Sequence, residues 1–148
     1  MRAAGVYLHP DALILYALGQ VPAGFLVSIP PVFRLPAFGA PDLVGRTLRE
    51  ALAGYQSPFP QPSDRKAHRA AFLKATGVRS WRKLEGSSRM CSIEEGDAEI
   101  TFTPWRNGGS HGPNKGFQPF GAAPITCAKS VSDAALGAAL LDALAKCE

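Results

Sequence analysis

The chain has 148 residues, of which 46% are apolar and 19% charged, with a formal net charge of +4, 13 prolines and 15 glycines. That is room for one domain around one hydrophobic core, rich in turns, and it excludes both a disordered chain and a multidomain one. No uninterrupted apolar run approaches the ~18 residues of a membrane-spanning helix. His9, Pro10 and Asp11 cut the apolar start into pieces too short and polar for a signal sequence.

In chain order, Ala12–Gly19 and Gly24–Pro30 are short runs of bulky apolar residues separated by Val21-Pro22-Ala23, which predicts two strands in a hairpin. Pro30-Pro31 punctuates the chain, and VFRL is a brief extended piece before Pro36. From Pro41 to Gly54, Val44, Leu48 and Leu52 recur at helical spacing, with Pro41 or Asp42 to start the helix. YQSPFPQP is a proline-spaced loop. Ser63 or Asp64 then caps a middle helix whose buried side is expected to carry Ala67, Ala71 and Phe72, and Gly77 ends it.

Trp81 and Leu84 are the expected anchors of the next segment, followed by CSIEE and AEITFTP as a second hairpin about Gly96-Asp97. Trp105–Phe117 is glycine-rich and too polar for a core element. APITCAKSV supplies a last strand, leading into DAALGAALLDALAK, which repeats the Pro41–Gly54 helix with Gly45 over Gly137 and Leu48 over Leu140. A glycine inside a helix costs about 1 kcal/mol relative to alanine, so its recurrence implies close packing at both positions. Two copies do not make a solenoid. The expected fold is a single α+β domain over residues 1–148, a mostly antiparallel sheet with packed helices, in two related strand-then-helix halves joined by a middle helix.

Chemistry-bearing constellations are sparse. Cys91, Cys127 and Cys147 are odd in number and lack C-x-x-C or Cys/His ligand spacing, so no zinc site, disulfide framework or cofactor is expected, and a reducing cytoplasm is the expected setting. His9 and His68 have ordinary surroundings. His111 sits in the glycine-rich loop beside Ser110, Asn114 and Lys115, where hydrolysis would require a nucleophile or acid held nearby. NGGSHGPNKG fits no phosphate-binding motif. Glu94, Glu95, Asp97 and Glu99 cluster at the second hairpin turn, and the basic residues concentrate between Arg65 and Arg89. Aromatic and arginine side chains in irregular segments suit a protein-binding surface rather than an enzyme. The candidate partner-contacting residues are Arg79, Trp81, Arg82, Glu94, Glu95, Asp97, Trp105, Arg106 and His111.

PAGFLVSIPPVFRL, LVGRTLREAL, TGVRSWRKLE, ITFTPWRN and VSDAALGAALLDAL, in that order, resemble a family of small bacterial immunity proteins from contact-dependent growth inhibition systems. The signposts are the leucine-glycine helix starts, the Ser80-Trp81 pair and the Thr103-Pro104 strand end. The resemblance implies a non-enzymatic cytoplasmic protein that binds the C-terminal domain of a polymorphic toxin, often a nuclease, and occludes its active site stoichiometrically. It transfers no residue-level binding motif. This chain departs from the acidic character common among nuclease inhibitors, so the toxin would present an acidic surface, or the interface would use the Glu94–Glu99 hairpin. The alternative is a basic nucleic-acid-binding module built on Arg65–Arg89 with Trp81 or Trp105, whose affinity would fall steeply with salt.

Overall fold

The computed structural model describes residues 1–109, 111–113 and 115–148. Among them it is an α+β fold: a six-stranded antiparallel sheet with four helices and a separate two-stranded ribbon. The strands of the main sheet are β1 (Arg2–His9), β2 (Ala12–Gln20), β3 (Leu26–Leu35), β4 (Arg89–Glu95), β5 (Glu99–Pro104) and β8 (Ile125–Ala128), in the spatial order β3-β2-β1-β4-β5-β8. β6 (Arg106–Asn107) and β7 (Phe117–Gln118) form the ribbon inside the glycine-rich segment. The helices are α1 (Pro41–Ala53), α2 (Arg65–Thr76), α3 (Trp81–Ser87) and α4 (Asp133–Ala145). No helix among the described residues is long and apolar enough to cross a membrane.

Alternation along the strands sends side chains to two different helical layers. Ala4 and Val6 of β1, Leu13 and Leu15 of β2, Cys91 and Ile93 of β4, and Ile100 and Phe102 of β5 face α1 and α4, where they meet Val44, Leu48, Leu52, Leu136, Leu140 and Leu144. Each fully buried leucine or isoleucine in this core contributes about 1.5–3 kcal/mol. The alternate residues Tyr7, Ile14 and Tyr16 face the opposite way and meet Phe72 of α2 and Leu84 of α3. The sheet is therefore sandwiched between the two recurring helices on one side and the basic helices on the other.

Two strand assignments differ from expectation. β1 lies at the centre of the sheet, paired with both β2 and β4 and covered on both faces, so its AAGVYL run shows no polar alternation for a sequence reading to detect. VFRL is the second half of β3, which continues through Pro30-Pro31 with a register shift opposite Tyr16 and Ala17. Proline is tolerated there because β3 is an edge strand.

The recurring helices pack against each other through their glycines. A Cβ on Gly45 would overlap the Asp133 carbonyl at the start of α4, and one on Gly137 would overlap the Pro41 carbonyl at the start of α1. Pro41 opens α1, and the Ser132 hydroxyl caps α4 by accepting from the Ala135 amide at 3.1 Å. Arg49 of α1 then clamps the approach to α4, donating to the Asp133 carboxylate at 2.9 Å and to the carbonyls of Lys129 and Val131.

Between α1 and the second hairpin stand two helices, α2 and α3, rather than one. α2 is capped by Asp64, which accepts from the Ala67 amide at 3.0 Å, and ends at Gly77 in the left-handed conformation, φ 76°. Ala67 and Ala71 are exposed, contrary to expectation. Phe72 and Thr76 are buried, with His68 half-buried one turn earlier, so the imidazole continues the inward stripe and its Nε2–H donates to the Ser28 carbonyl at 2.8 Å.

Candidate functional site

α2 and α3 concentrate the positive charge. From Ser63 to Ser88 the only acids are Asp64 and Glu85, against Arg65, Lys66, Arg69, Lys74, Arg79, Arg82 and Lys83. Amphipathic anchoring through Phe72 and Leu84 turns these cations outward. The only ion pair they make among the described residues is Arg69 with Glu85, at 3.8 Å.

An aromatic column carries this face. Tyr7 stacks on Tyr16 with centroids 5.4 Å apart, Tyr16 meets Phe72 edge-on at 4.9 Å, and Phe72 stacks on Trp81 at 5.8 Å. Gly5, opposite Tyr16 in register, makes room for the Tyr16 ring to lie across β1. Burial pushes the Tyr16 hydroxyl well above the ordinary tyrosine range and raises Tyr7 as well, so both rings remain neutral packing elements. Trp81, the first residue of α3 after its Ser80 cap, is half-buried at the outer end of the column, and the Arg69 guanidinium lies 4.3 Å from its ring centre.

Beside Trp81 an open groove of about 220 Å³ runs between α2 and the start of β3. Phe25 and Leu26 form one wall, Arg65, His68 and Arg69 the other, and Phe72 and Trp81 also line it. Phe25 is 47% exposed and Leu26 40%, unusual for large apolar side chains. They follow Gly24, whose φ of 99° makes the turn into β3. In the sequence both residues look like the beginning of a buried strand, and nothing local marks them as surface.

The structure brings several of the sequence-named residues together. Arg79 is exposed in the link between α2 and α3. Arg82 on α3 lies 3.1 Å from His111 Nε2. Arginine has no acceptor, so in this contact Arg82 donates and His111 Nε2 accepts. Among the described residues the His111 ring has no acid or nucleophile as partner, and Ser110 and Asn114 lie outside the described residues.

Asn107 holds the base of the same loop. Its side chain donates to the carbonyls of Glu85 and Ser88, both at 2.6 Å, and accepts from the Gly109 amide at 2.8 Å, while its own amide donates to the Glu148 carbonyl. Phe117 anchors the returning strand on Tyr7, with centroids 5.6 Å apart. Trp105 is half-buried and donates to the Ser92 hydroxyl at 2.9 Å, and Arg106 is exposed and paired with Glu148 at 2.9 Å.

The acidic hairpin lies elsewhere. Trp105 pairs with Met90 at the beginning of β4, whereas Asp97 occupies the turn after its end, about 20 Å away at ~3.3 Å per strand residue. Glu94 and Asp97 are exposed there. Glu95 is 7% exposed and points inward, 3.7 Å from both Arg2 and Lys129. No group of three or more metal-ligating side chains occurs among the described residues. Burial raises the thiols of Cys91, Cys127 and Cys147, which suits packing rather than nucleophilic chemistry.

A family model described as "CdiI: CDI immunity protein" matches residues 39–147. No curated protein matches the sequence. Solved structures share the fold, two of them as follows. A protein of unknown function from Neisseria meningitidis aligns with a TM-score of 0.77 at 18% identity, over 99% of this chain and 95% of that one. A chain of the CdiA-CT/CdiI toxin and immunity complex from Yersinia pseudotuberculosis aligns with a TM-score of 0.78 at 16% identity, over 99% of this chain and 97% of that one.

Proposed function

The chain belongs to the CDI immunity protein family, and on that premise we propose that it binds a CdiA-CT toxin domain in a one-to-one complex and neutralises it by covering the active site. The family match carries this reading. The similar fold of a protein in a toxin and immunity complex supports it. We read the toxin as a nuclease, the activity the sequence resemblance implies. The basic helical face argues for an inhibitor that meets carboxylates on the toxin rather than one that imitates nucleic acid.

The contact surface is proposed to be the face of α2, α3 and the loop after β5, with Arg79, Trp81, Arg82, Trp105, Arg106 and His111. It combines aromatic and arginine side chains on a rigid support, the composition that dominates binding energy at protein interfaces. Glu94 and Asp97 would serve a second, separate contact, and Glu95 would act by holding the end of β4. We further read the scaffold as two related halves, supported by the matching glycine helices and by a strand order in which β1 and β4 are central neighbours.

Purifying the chain with the toxin domain encoded beside it tests the proposal. A stable equimolar complex with loss of toxin activity is expected, and free, active toxin in the presence of excess protein would refute it. The basic face is also the observation that favours nucleic-acid binding. That reading requires oligonucleotide affinity that falls steeply with salt.

A further inference from the structure

We propose that the groove between α2 and the start of β3 is the anchor point of the toxin interface, receiving one apolar or aromatic side chain from an acidic segment of the toxin. This rests on the immunity function proposed above and assigns it a place.

Size comes first. Sites for cofactors and drug-sized ligands enclose about 300–1,000 Å³. An open groove of about 220 Å³ falls below that range and suits a single large side chain. Its lining joins apolar surface to positive charge: Phe25, Leu26, Phe72 and Trp81 supply the first, Arg65 and Arg69 the second. Phe25 and Leu26 remain substantially exposed, so a partner side chain placed between them and Trp81 would remove apolar surface from water on both walls. Arg65 makes no ion pair among the described residues. The acids of the α2–α3 segment cannot neutralise its cations, so the favoured occupant carries carboxylates beside its apolar anchor.

The α2–α3 side of the groove is preorganised. Trp81 is fixed by stacking on Phe72, His68 by its contact with the Ser28 carbonyl, and Arg69 by Glu85 and the Trp81 ring. Trp81, His68 and Arg69 therefore have little side-chain freedom left to lose on binding, which favours affinity.

The test uses Phe25→Asp and Arg65→Glu, measured by calorimetry and biosensor against the adjacent toxin domain. Both sites are exposed, and glutamate in the first turn of α2 is favourable to the helix, so neither change should lower the melting temperature appreciably. Arg46→Glu on α1, exposed on the opposite side of the sheet, serves as the control. The expected result is about a thirtyfold or greater rise in Kd for each groove variant, the threshold for an interface hot spot, a slower association for Arg65→Glu, and no change for Arg46→Glu. Wild-type affinity in both groove variants, with an intact wild-type complex, overturns the groove while leaving the function standing. Absence of any wild-type complex overturns both. A single-stranded oligonucleotide bound by the wild type and lost in Arg65→Glu, with toxin affinity unchanged, assigns the groove to nucleic acid and also overturns the proposal.

Discussion

Gly45 lies so close to Asp133 that a side-chain methyl group has no place between α1 and the first turn of α4. Gly137 stands in the same relation to Pro41, so each helix presses its glycine onto the opening residue of the other. Replacing glycine by alanine normally stabilises a helix by about 1 kcal/mol. Here the obstacle is backbone, and the helices must separate. Gly45→Ala and Gly137→Ala are each expected to lower stability by about 1–3 kcal/mol net, the range for overpacking, as read by urea denaturation. The double variant should lose less than the sum, because one helix displacement relieves both overlaps.

Arg49 joins the same helix pair through three acceptors on the β8–α4 connection. Arg49→Ala should cost about 1–2 kcal/mol, the lower part of the range for hydrogen bonds to charged groups because the side chain is one-third exposed. Arg49→Lys keeps the charge but loses the planar fork, and should recover only part of the loss. Equal stability of Arg49→Lys and the wild type would show that charge alone suffices.

Asn107 uses its side-chain donors and acceptor to tie the loop after β5 to the end of α3. Asn107→Asp preserves shape while facing two carbonyl oxygens with a carboxylate. It should destabilise by about 1–3 kcal/mol and alter the His111 imidazole resonances, since the loop would no longer hold His111 against Arg82. Unchanged resonances would show that the loop is positioned independently of Asn107.

Alkaline pH should weaken the fold. Burial raises the thiols of Cys91 and Cys147 above the ordinary value of 9.0 and the hydroxyls of Tyr7 and Tyr16 above 10.0. Above those ordinary values the unfolded chain releases protons that the folded chain retains. Stability is therefore fully present below about pH 8 and is lost as pH rises through 9 and 10. Denaturation midpoints measured from pH 7 to 10.5 should fall only in the upper part of that range. A flat profile would contradict the assigned burial.

The two glycine helices were legible in the sequence because their stripes are long and their glycines expensive without a packing reason. The hairpins β2–β3 and β4–β5 were legible from turns between apolar runs. β1 was hidden because central strands have no polar face, and α3 because a seven-residue helix is too short to show a period. Trp81 was visible as an anchor, but its column through Phe72 and Tyr16 joins residues distant in the chain. The same is true of Arg82 with His111. Glu95 looked like its neighbours Glu94 and Asp97 in a polar turn, and only the pleat, which turns it toward Arg2 and Lys129, separates them. Phe25 and Leu26 were invisible as surface, since nothing local distinguishes an exposed strand start from a buried one.

Neutralisation of a toxin is tested most directly by growth of cells in which a candidate cognate CdiA-CT toxin domain is induced. With the wild-type protein co-expressed, growth should match the uninduced culture, while cells without it should arrest. Arrest despite soluble, folded protein at equimolar or higher level would contradict the claim.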